Sequence, residues 1–319
     1  MTSPSPRYDW TTTEIEALLA LPLLDLVSRA HEISKSGTDK RGVQLAALMN
    51  IKTGGCAEDC SYCSQSAHHE ALDITRTPLS RLDDVVSAAK EAKKLGTIRF
   101  CMGVAGREVT DGPEFDAVLD MVRAVRALDM EPCLTMGMLK PHHAQALKLA
   151  GLQSYNHNID TSPEYYGQII TTRTLEDRLR TLSIVRDQGI DLCTGVIIGL
   201  GESLTDRASA LRVLANMNPQ PESVPINALV AIEGTPLERQ EDVPALDFVR
   251  MIAAARIVLP ASRVRLAAGR KRLSPEAQAL CFLAGANSIF YGERLLTTDN
   301  AEPDRDRAFL EEIGVRIPA

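Results

Sequence analysis

Eight short apolar runs alternate with longer amphipathic stretches, successive runs begin ~23 to 54 residues apart, and no glycine-rich dinucleotide fingerprint follows the first run. Together these observations predict an α/β fold: a (β/α)8 barrel of the TIM type with an N-terminal helical extension and a short C-terminal segment. An open doubly wound sheet is the competing arrangement, but Gly54-Gly55-Cys56 lacks the glycine spacing that such a sheet uses to cradle a dinucleotide.

The elements follow in order. Residues 1–13 are small and polar and read as a loose tail. Over 14–35, Ile15, Leu18, Leu19, Leu23, Leu26, Val27 and Ala30 recur at helical spacing, so one helix is expected, bent at Pro22. The strand runs are 43–51, 97–102, 131–136, 154–159, 190–198, 224–230, 263–267 and 287–291. Between them, helices are expected over 79–95, 112–128, 141–150, 175–188, 205–216, 244–259 and 274–283. Ser80 with Asp83 has the form of a capping box, Gly96 and Gly189 stand where helices stop, and Ser274-Pro275 pairs an N-cap with a first-turn proline. Residues 304–312 are mostly charged and read as a solvated terminal segment. The division is therefore 1–36 tail and helix, 37–296 barrel, and 297–319 C-terminal segment.

The chain has 319 residues, with 35 Lys+Arg against 42 Asp+Glu and a net charge of −7, which argues against a dedicated nucleic-acid binder. At 45% hydrophobic and 24% charged residues it has the makings of a large core. The sequence contains neither a membrane-length apolar run nor a signal-peptide core, so a cytoplasmic protein with no membrane role is expected. Seven cysteines, an odd number, speak for reduced thiols at metal or catalytic sites rather than a disulfide framework.

Cys56, Cys60 and Cys63 form C-x3-C-x2-C. Three thiols so close converge only if their loop wraps one object, and on a cubane cluster they leave one iron without a protein ligand. A structural zinc site needs a fourth ligand, for which His68 or His69 is available. Tyr62, just before the last cysteine, suits a cluster loop that also touches a nucleotide. This loop, placed after the first strand of an α/β barrel, resembles the signature of the radical S-adenosylmethionine superfamily. The resemblance implies that Cys56, Cys60 and Cys63 hold a 4Fe-4S cluster whose open iron binds S-adenosylmethionine. Reductive cleavage of the sulfonium then yields a 5'-deoxyadenosyl radical, so the radical is carried by the cofactor and no side chain is expected to be catalytic.

Cys101, Cys133 and Cys193 fall on the second, third and fifth strand runs. Singly, each reads as a small buried hydrophobe; together, if all point inward, they suggest a second site. Arg265 on the seventh run is a charge that needs a partner inside a barrel. These residues, with Arg99-Phe100-Cys101-Met102-Gly103, Tyr155-Asn156-His157-Asn158-Ile159-Asp160, Ile169-Ile170-Thr171-Thr172-Arg173, Glu222-Ser223-Val224-Pro225-Ile226-Asn227 and Ala284-Gly285-Ala286-Asn287-Ser288, resemble the biotin synthase family over nearly the whole chain.

That resemblance implies a 2Fe-2S cluster on Cys101, Cys133, Cys193 and Arg265, with its sulfide as the sulfur inserted into dethiobiotin. It implies that Asn156, Asn158 and Asn227 contact the ureido ring of dethiobiotin, that Asn158 also touches the nucleotide, and that Asp160 holds its ribose. Gly199, within a G-x-I-x-G-like segment, is expected beside the adenine. The implied partners are a flavodoxin- or ferredoxin-type electron donor, the iron-sulfur assembly machinery and a second copy in a homodimer.

Other residues have plainer readings. Cys281 reads as core, His142-His143 as solvated, His68-His69 as a surface loop, and Arg123, Arg126, Arg178, Arg180, Arg207 and Arg212 as exposed helix faces. Gly106 stands where the resemblance leads one to expect an aromatic. Among alternatives, lipoyl synthase carries a further N-terminal cysteine cluster, whereas no cysteine precedes Cys56 here. A radical enzyme with another substrate would not need the second cysteine set together with Arg265. A non-catalytic iron-sulfur carrier or zinc-stabilised binding protein leaves the Asn and Asp constellation unexplained.

Overall fold

In the computed structural model, which describes residues 5–37, 42–71, 74–292, 300 and 302–317, the apolar runs form parallel strands. These are β1 (Gln44–Lys52), β2 (Arg99–Val104), β3 (Glu131–Thr135), β4 (Ser154–Asn156), β5 (Asp191–Cys193), β6 (Val196–Ile198), β7 (Ser223–Ala228), β8 (Arg263–Leu266) and β9 (Ser288–Phe290). They run in the order β5-β4-β3-β2-β1-β9-β8-β7-β6, and β5 also pairs with β7. The sheet is thus closed, with eight strand positions, as the (β/α)8 expectation requires.

The fifth position is split. Cys193 of β5 pairs with Ser223, the next residues leave the ladder, and β6 resumes with Val196 opposite Ile226. Gly195 lies in the gap, where a Cβ would come within 1.9 Å of the Pro225 carbonyl oxygen, so only glycine lets the two backbones meet.

Helices cover the outside: α1 (Thr12–Leu19), α2 (Leu23–Gly37), α3 (Leu82–Lys94), α4 (Pro113–Ala127), α5 (Pro141–Leu149), α6 (Tyr166–Ile169), α7 (Leu175–Asp187), α8 (Leu204–Ala215), α9 (Ala245–Val258), α10 (Pro275–Leu283) and α11 (Pro303–Glu312). No helix among the described residues is long and apolar enough to cross a membrane.

Three expectations change. The single bent helix over 14–35 is two helices, because Pro22 has no N–H to continue the first and its carbonyl instead accepts from Leu26 at the start of the second. Ser80 does not cap α3: its N–H donates to the Ile51 carbonyl at 2.7 Å, and Arg81 takes the cap position without a side-chain bond. The box pattern operates instead at Thr174–Asp177 and Ser203–Asp206, and Ser274 caps α10 as expected. Residues 304–312 form α11 rather than a solvated segment. Its charges conceal a buried face, with Leu310 enclosed and Asp306 paired to buried Arg270 at 2.6 Å. Residues 1–4 of the expected tail and 297–299 of the expected C-terminal segment lie outside the described residues.

Candidate active site

A cavity opens at the strand C-terminal ends, where barrel loops gather functional groups. Its lining includes Cys56, Cys60, Cys63, Cys101, Cys133, Cys193, Arg265, Tyr62, Asn156, Asn158, Asp160 and Asn227.

The first cysteines lie on the loop after β1. Gly54 and Gly55 adopt φ of +76° and +72°, which turns the chain back against Arg76. Cys56 N–H then donates to the Gln65 carbonyl at 3.0 Å and Cys63 N–H to that of Cys60 at 2.9 Å, so the loop is held by its own backbone. Burial pushes the Cys60 thiol up to about 12 and that of Cys63 to about 11. Burial thus favours the neutral form of both thiols, and a metal bound there would have to displace their protons. His68 and His69 each give Nε2–H to a loop carbonyl, Ala57 at 3.1 Å and Cys60 at 3.0 Å, so those nitrogens are engaged and are not aimed at a metal.

The second set forms inside the barrel. Cys101, Cys133 and Cys193 pack with Ala46 into one buried patch flanked by Leu48 and Phe290. Cys101 faces Cys133 across β2 and β3, and Cys193 faces Asn156 across β5 and β4. The thiols hydrogen-bond in series through Cys133, which draws Cys101 down from its ordinary value and pushes Cys133 up to about 12. Cys193 is raised by the same bonding and by burial. Arg265 approaches the Cys193 sulfur at 3.9 Å, donates to Ser288 Oγ at 2.9 Å and stacks on Phe290.

Below this patch, Arg99 donates to Glu131 at 2.9 Å. Its Nη1 is buried without a hydrogen-bond partner among the described residues, as are Ser154 Oγ and Ser223 Oγ. Such orphaned groups mark a place built for something that accepts from them.

The polar set comes from the end of β4. That strand stops at Asn156 and Asp160 takes a left-handed φ of +65°; His157 lines the cavity together with Asn156, Asn158 and Asp160. Asn158 Oδ1 accepts from Gly195 N–H at 3.1 Å and from Asn156 at 3.2 Å. Asn227 spans two segments, donating to the Val196 carbonyl at 3.0 Å and accepting from Ala268 N–H at 3.2 Å. Gly199 does not line the cavity; its N–H donates to Glu202 at 2.9 Å. Gly106 does line it, with nothing among the described residues within 4 Å of where a Cβ would stand.

Arg178, expected on an exposed helix face, is buried: it bonds to the Asp160 carboxylate, to the Asn158 carbonyl at 2.6 Å and to Tyr166 Oη at 2.6 Å. The signal was available, since Arg178 shares an inward stripe with Leu175, Leu182 and Val185. Arg173, near the Cys60 sulfur at 3.9 Å, and Arg99, two residues before Cys101 on the same strand face, were likewise not singled out. Arg207, also expected on an exposed face, is half-buried and paired with Glu202 at 2.7 Å. Cys281 is core, as expected. His143 is fully buried rather than solvated, because α5 turns it inward with Ala144 and Leu147.

Known proteins resemble the chain in the same terms. Residues 50–214 match the Radical SAM superfamily, and residues 225–316 match the Biotin and Thiamin Synthesis associated domain. Biotin synthase of Methylorubrum populi is 60% identical over 312 residues, covering 98% of this chain and 92% of its own. That of Ruegeria pomeroyi is 59% identical over 308 residues, 97% of each. Among solved structures, methylornithine synthase superposes with a TM-score of 0.80 at 19% identity, covering 98% of this chain and 95% of its own. The FeFe-hydrogenase maturase of Carboxydothermus hydrogenoformans gives 0.77 at 19%, covering 95% and 75%. These two share the barrel, whereas the sequence relatives match nearly end to end: the chain belongs to the biotin synthase family of radical S-adenosylmethionine enzymes.

Proposed function

We infer that this chain inserts sulfur into dethiobiotin to form biotin with two iron-sulfur centres, one on the loop after β1 and one inside the barrel. The observation that carries the reading is the meeting of Cys101, Cys133 and Cys193, from three separate strands, beside Arg265 and in the same cavity as the Cys56, Cys60 and Cys63 loop. The donor sets fit. Three loop thiols suit a 4Fe-4S cluster with one iron left for S-adenosylmethionine, and three thiols plus a guanidinium suit a 2Fe-2S cluster. The unpartnered Arg99 Nη1, Ser154 Oγ and Ser223 Oγ supply donors around the latter. When bound, these groups and S-adenosylmethionine supply an electron, hydrogen abstraction from unactivated C–H bonds, and a sulfur atom.

The chain's own residues supply placement. Asn156, Asn158 and Asn227 orient the ureido ring, while Tyr62, Asn158 and Asp160 hold the nucleotide, with Gly199 in the segment beside the adenine. Arg178 pairs with the Asp160 carboxylate and holds it in place. Leu229, Val230, Ile232 and Phe290 give the cavity apolar wall that limits water. Such placement matters because a misplacement of ~1 Å can cost about 100-fold in rate. A flavodoxin- or ferredoxin-type donor would deliver the electron, iron-sulfur assembly machinery would rebuild the inner cluster, and a homodimer is the assembly to look for.

The test is anaerobic reconstitution with iron and sulfide, then addition of S-adenosylmethionine, dethiobiotin and reductant, with biotin and 5'-deoxyadenosine measured by mass spectrometry. Both products are expected from the wild type. Cys60→Ala should lose both, and Cys193→Ala should lose biotin while still forming 5'-deoxyadenosine. Deoxyadenosine without biotin from fully loaded wild-type protein would overturn the substrate assignment.

A further inference from the structure

Outside the cavity, a second group of ligating side chains sits on the rim of the same barrel end. Asp111, on the loop between β2 and α4, faces His142 and His143 in the first turn of α5. The two Nε2 atoms lie 2.9 and 3.0 Å from the same Asp111 Oδ1, and all three ligating atoms lie within 4.8 Å of one another. His143 is fully buried with its ring against Phe115, and His142 rests on it with centroids 4.0 Å apart. The two loops are also joined by backbone, Val109 N–H to the Met138 carbonyl and Met138 N–H to that of Arg107, each 2.9 Å.

We propose that Asp111, His142 and His143 form a binding site for one small divalent transition-metal ion, zinc or nickel in type, that clamps the β2–α4 loop to the β3–α5 loop. Two imidazoles and a carboxylate are a donor set that such ions take. Ligands at ~2.0–2.1 Å from a metal are about 2.9 Å apart at a right angle and about 3.4 Å apart at the tetrahedral angle, so both N···O edges already have the required length. The two nitrogens lie within 4.8 Å of one another, so the exposed His142 ring needs to close by at most about 0.6 Å for a trans arrangement and about 1.4 Å for a tetrahedral one.

The proton balance also works. Lys140 N–H donates to His143 Nδ1 at 3.3 Å, which puts the ring proton on Nε2, toward Asp111. Metal binding moves that proton to Nδ1 and breaks the long Lys140 contact, a cost that the new metal–ligand bonds must exceed. His142, at the surface, is free to present Nε2 to the ion with its ring proton on Nδ1. Through Arg107, which donates to the Thr172 carbonyl at 2.6 Å and pairs with Glu58 at 3.5 Å, the clamped loop braces the segment carrying Cys56, Cys60 and Cys63.

The test is calorimetric titration of tag-free, cluster-loaded protein with Ni2+, with iron and sulfide assayed before and after. One saturable equivalent is expected, with iron and sulfide unchanged and a nickel-dependent rise in thermal midpoint. His142→Gln and Asp111→Asn, each folding with an unchanged nickel-free midpoint, should weaken binding by about tenfold or more and abolish the rise. Absence of saturable binding, equal binding in both variants, or nickel uptake in step with iron release would overturn the proposal.

Discussion

Arg178 and Asp160 form an enclosed ion pair, with side chains only 4% and 2% exposed, and Tyr62 Oη donates to the same carboxylate oxygen at 2.7 Å. Three separate pieces of chain therefore meet on one atom: the cluster loop through Tyr62, the end of β4 through Asp160 and helix α7 through Arg178. Removing Arg178 leaves an uncompensated buried charge. Arg178→Met should cost about 3–5 kcal/mol in urea unfolding and weaken S-adenosylmethionine binding, with Asp160→Asn added in the same chain restoring part of the stability. A cost below about 0.5 kcal/mol, typical of a surface change, would contradict this account.

The orphaned Arg99 Nη1 leads to a second expectation. If the inner cluster lies on Cys101, Cys133, Cys193 and Arg265, Arg99 faces its negative charge from one residue pair below. Arg99→Met should then lower that cluster's reduction potential by on the order of 50 mV, with Arg99→Lys closer to wild type. Redox titration followed by visible absorption reads this directly, and an unchanged potential in Arg99→Met would remove Arg99 from the site.

Cys281 offers a pH dependence away from both cysteine sets. Burial pushes its thiol up to about 12 from an ordinary 9.0. A raised thiol value stabilises the fold fully below pH 9, and the contribution is lost as pH rises from 9 through 12, where the unfolded chain ionises first. The stability advantage of wild type over Cys281→Ala should therefore shrink by about 1.4 kcal/mol between pH 8 and pH 10. Parallel urea curves at the two pH values check it; an advantage that stays constant would mean that the thiol ionises in place.

Two glycines should respond oppositely to the same change. Gly195→Ala drives a Cβ to 1.9 Å from the Pro225 carbonyl oxygen, a backbone atom that cannot swing away, and should unfold the chain or cost more than about 3 kcal/mol. Gly106→Ala meets nothing within 4 Å and should change thermal stability by less than about 0.5 kcal/mol. Equal effects by calorimetry would refute the contrast.

The barrel was legible because burial on both faces of parallel strands leaves continuous apolar runs, and because Cys101, Cys133 and Cys193 occur in equivalent positions on such runs. What stayed hidden depended on partners distant in sequence. Arg178 looks like one more charge on a polar helix until Asp160 and the Asn158 carbonyl are brought to it. His143 looks solvated until Asp111 from the β2–α4 loop and Phe115 from α4 meet it, and Asp306 looks exposed until Arg270 meets it. The break at Pro22 was misjudged in degree because the proline starts a second helix instead of deforming the first.

The split fifth strand gives the inner cysteines a mechanical meaning. The ring shuts where Cys193 meets Ser223 in a single paired register position before the gap at Gly195. A cluster fastened to Cys101, Cys133, Cys193 and Arg265 would act as a hoop around the staves at the seam where the backbone ladder is interrupted. Each turnover that draws sulfur from that hoop would slacken the cask at the wall of the chamber that must then release its product and admit fresh iron and sulfide.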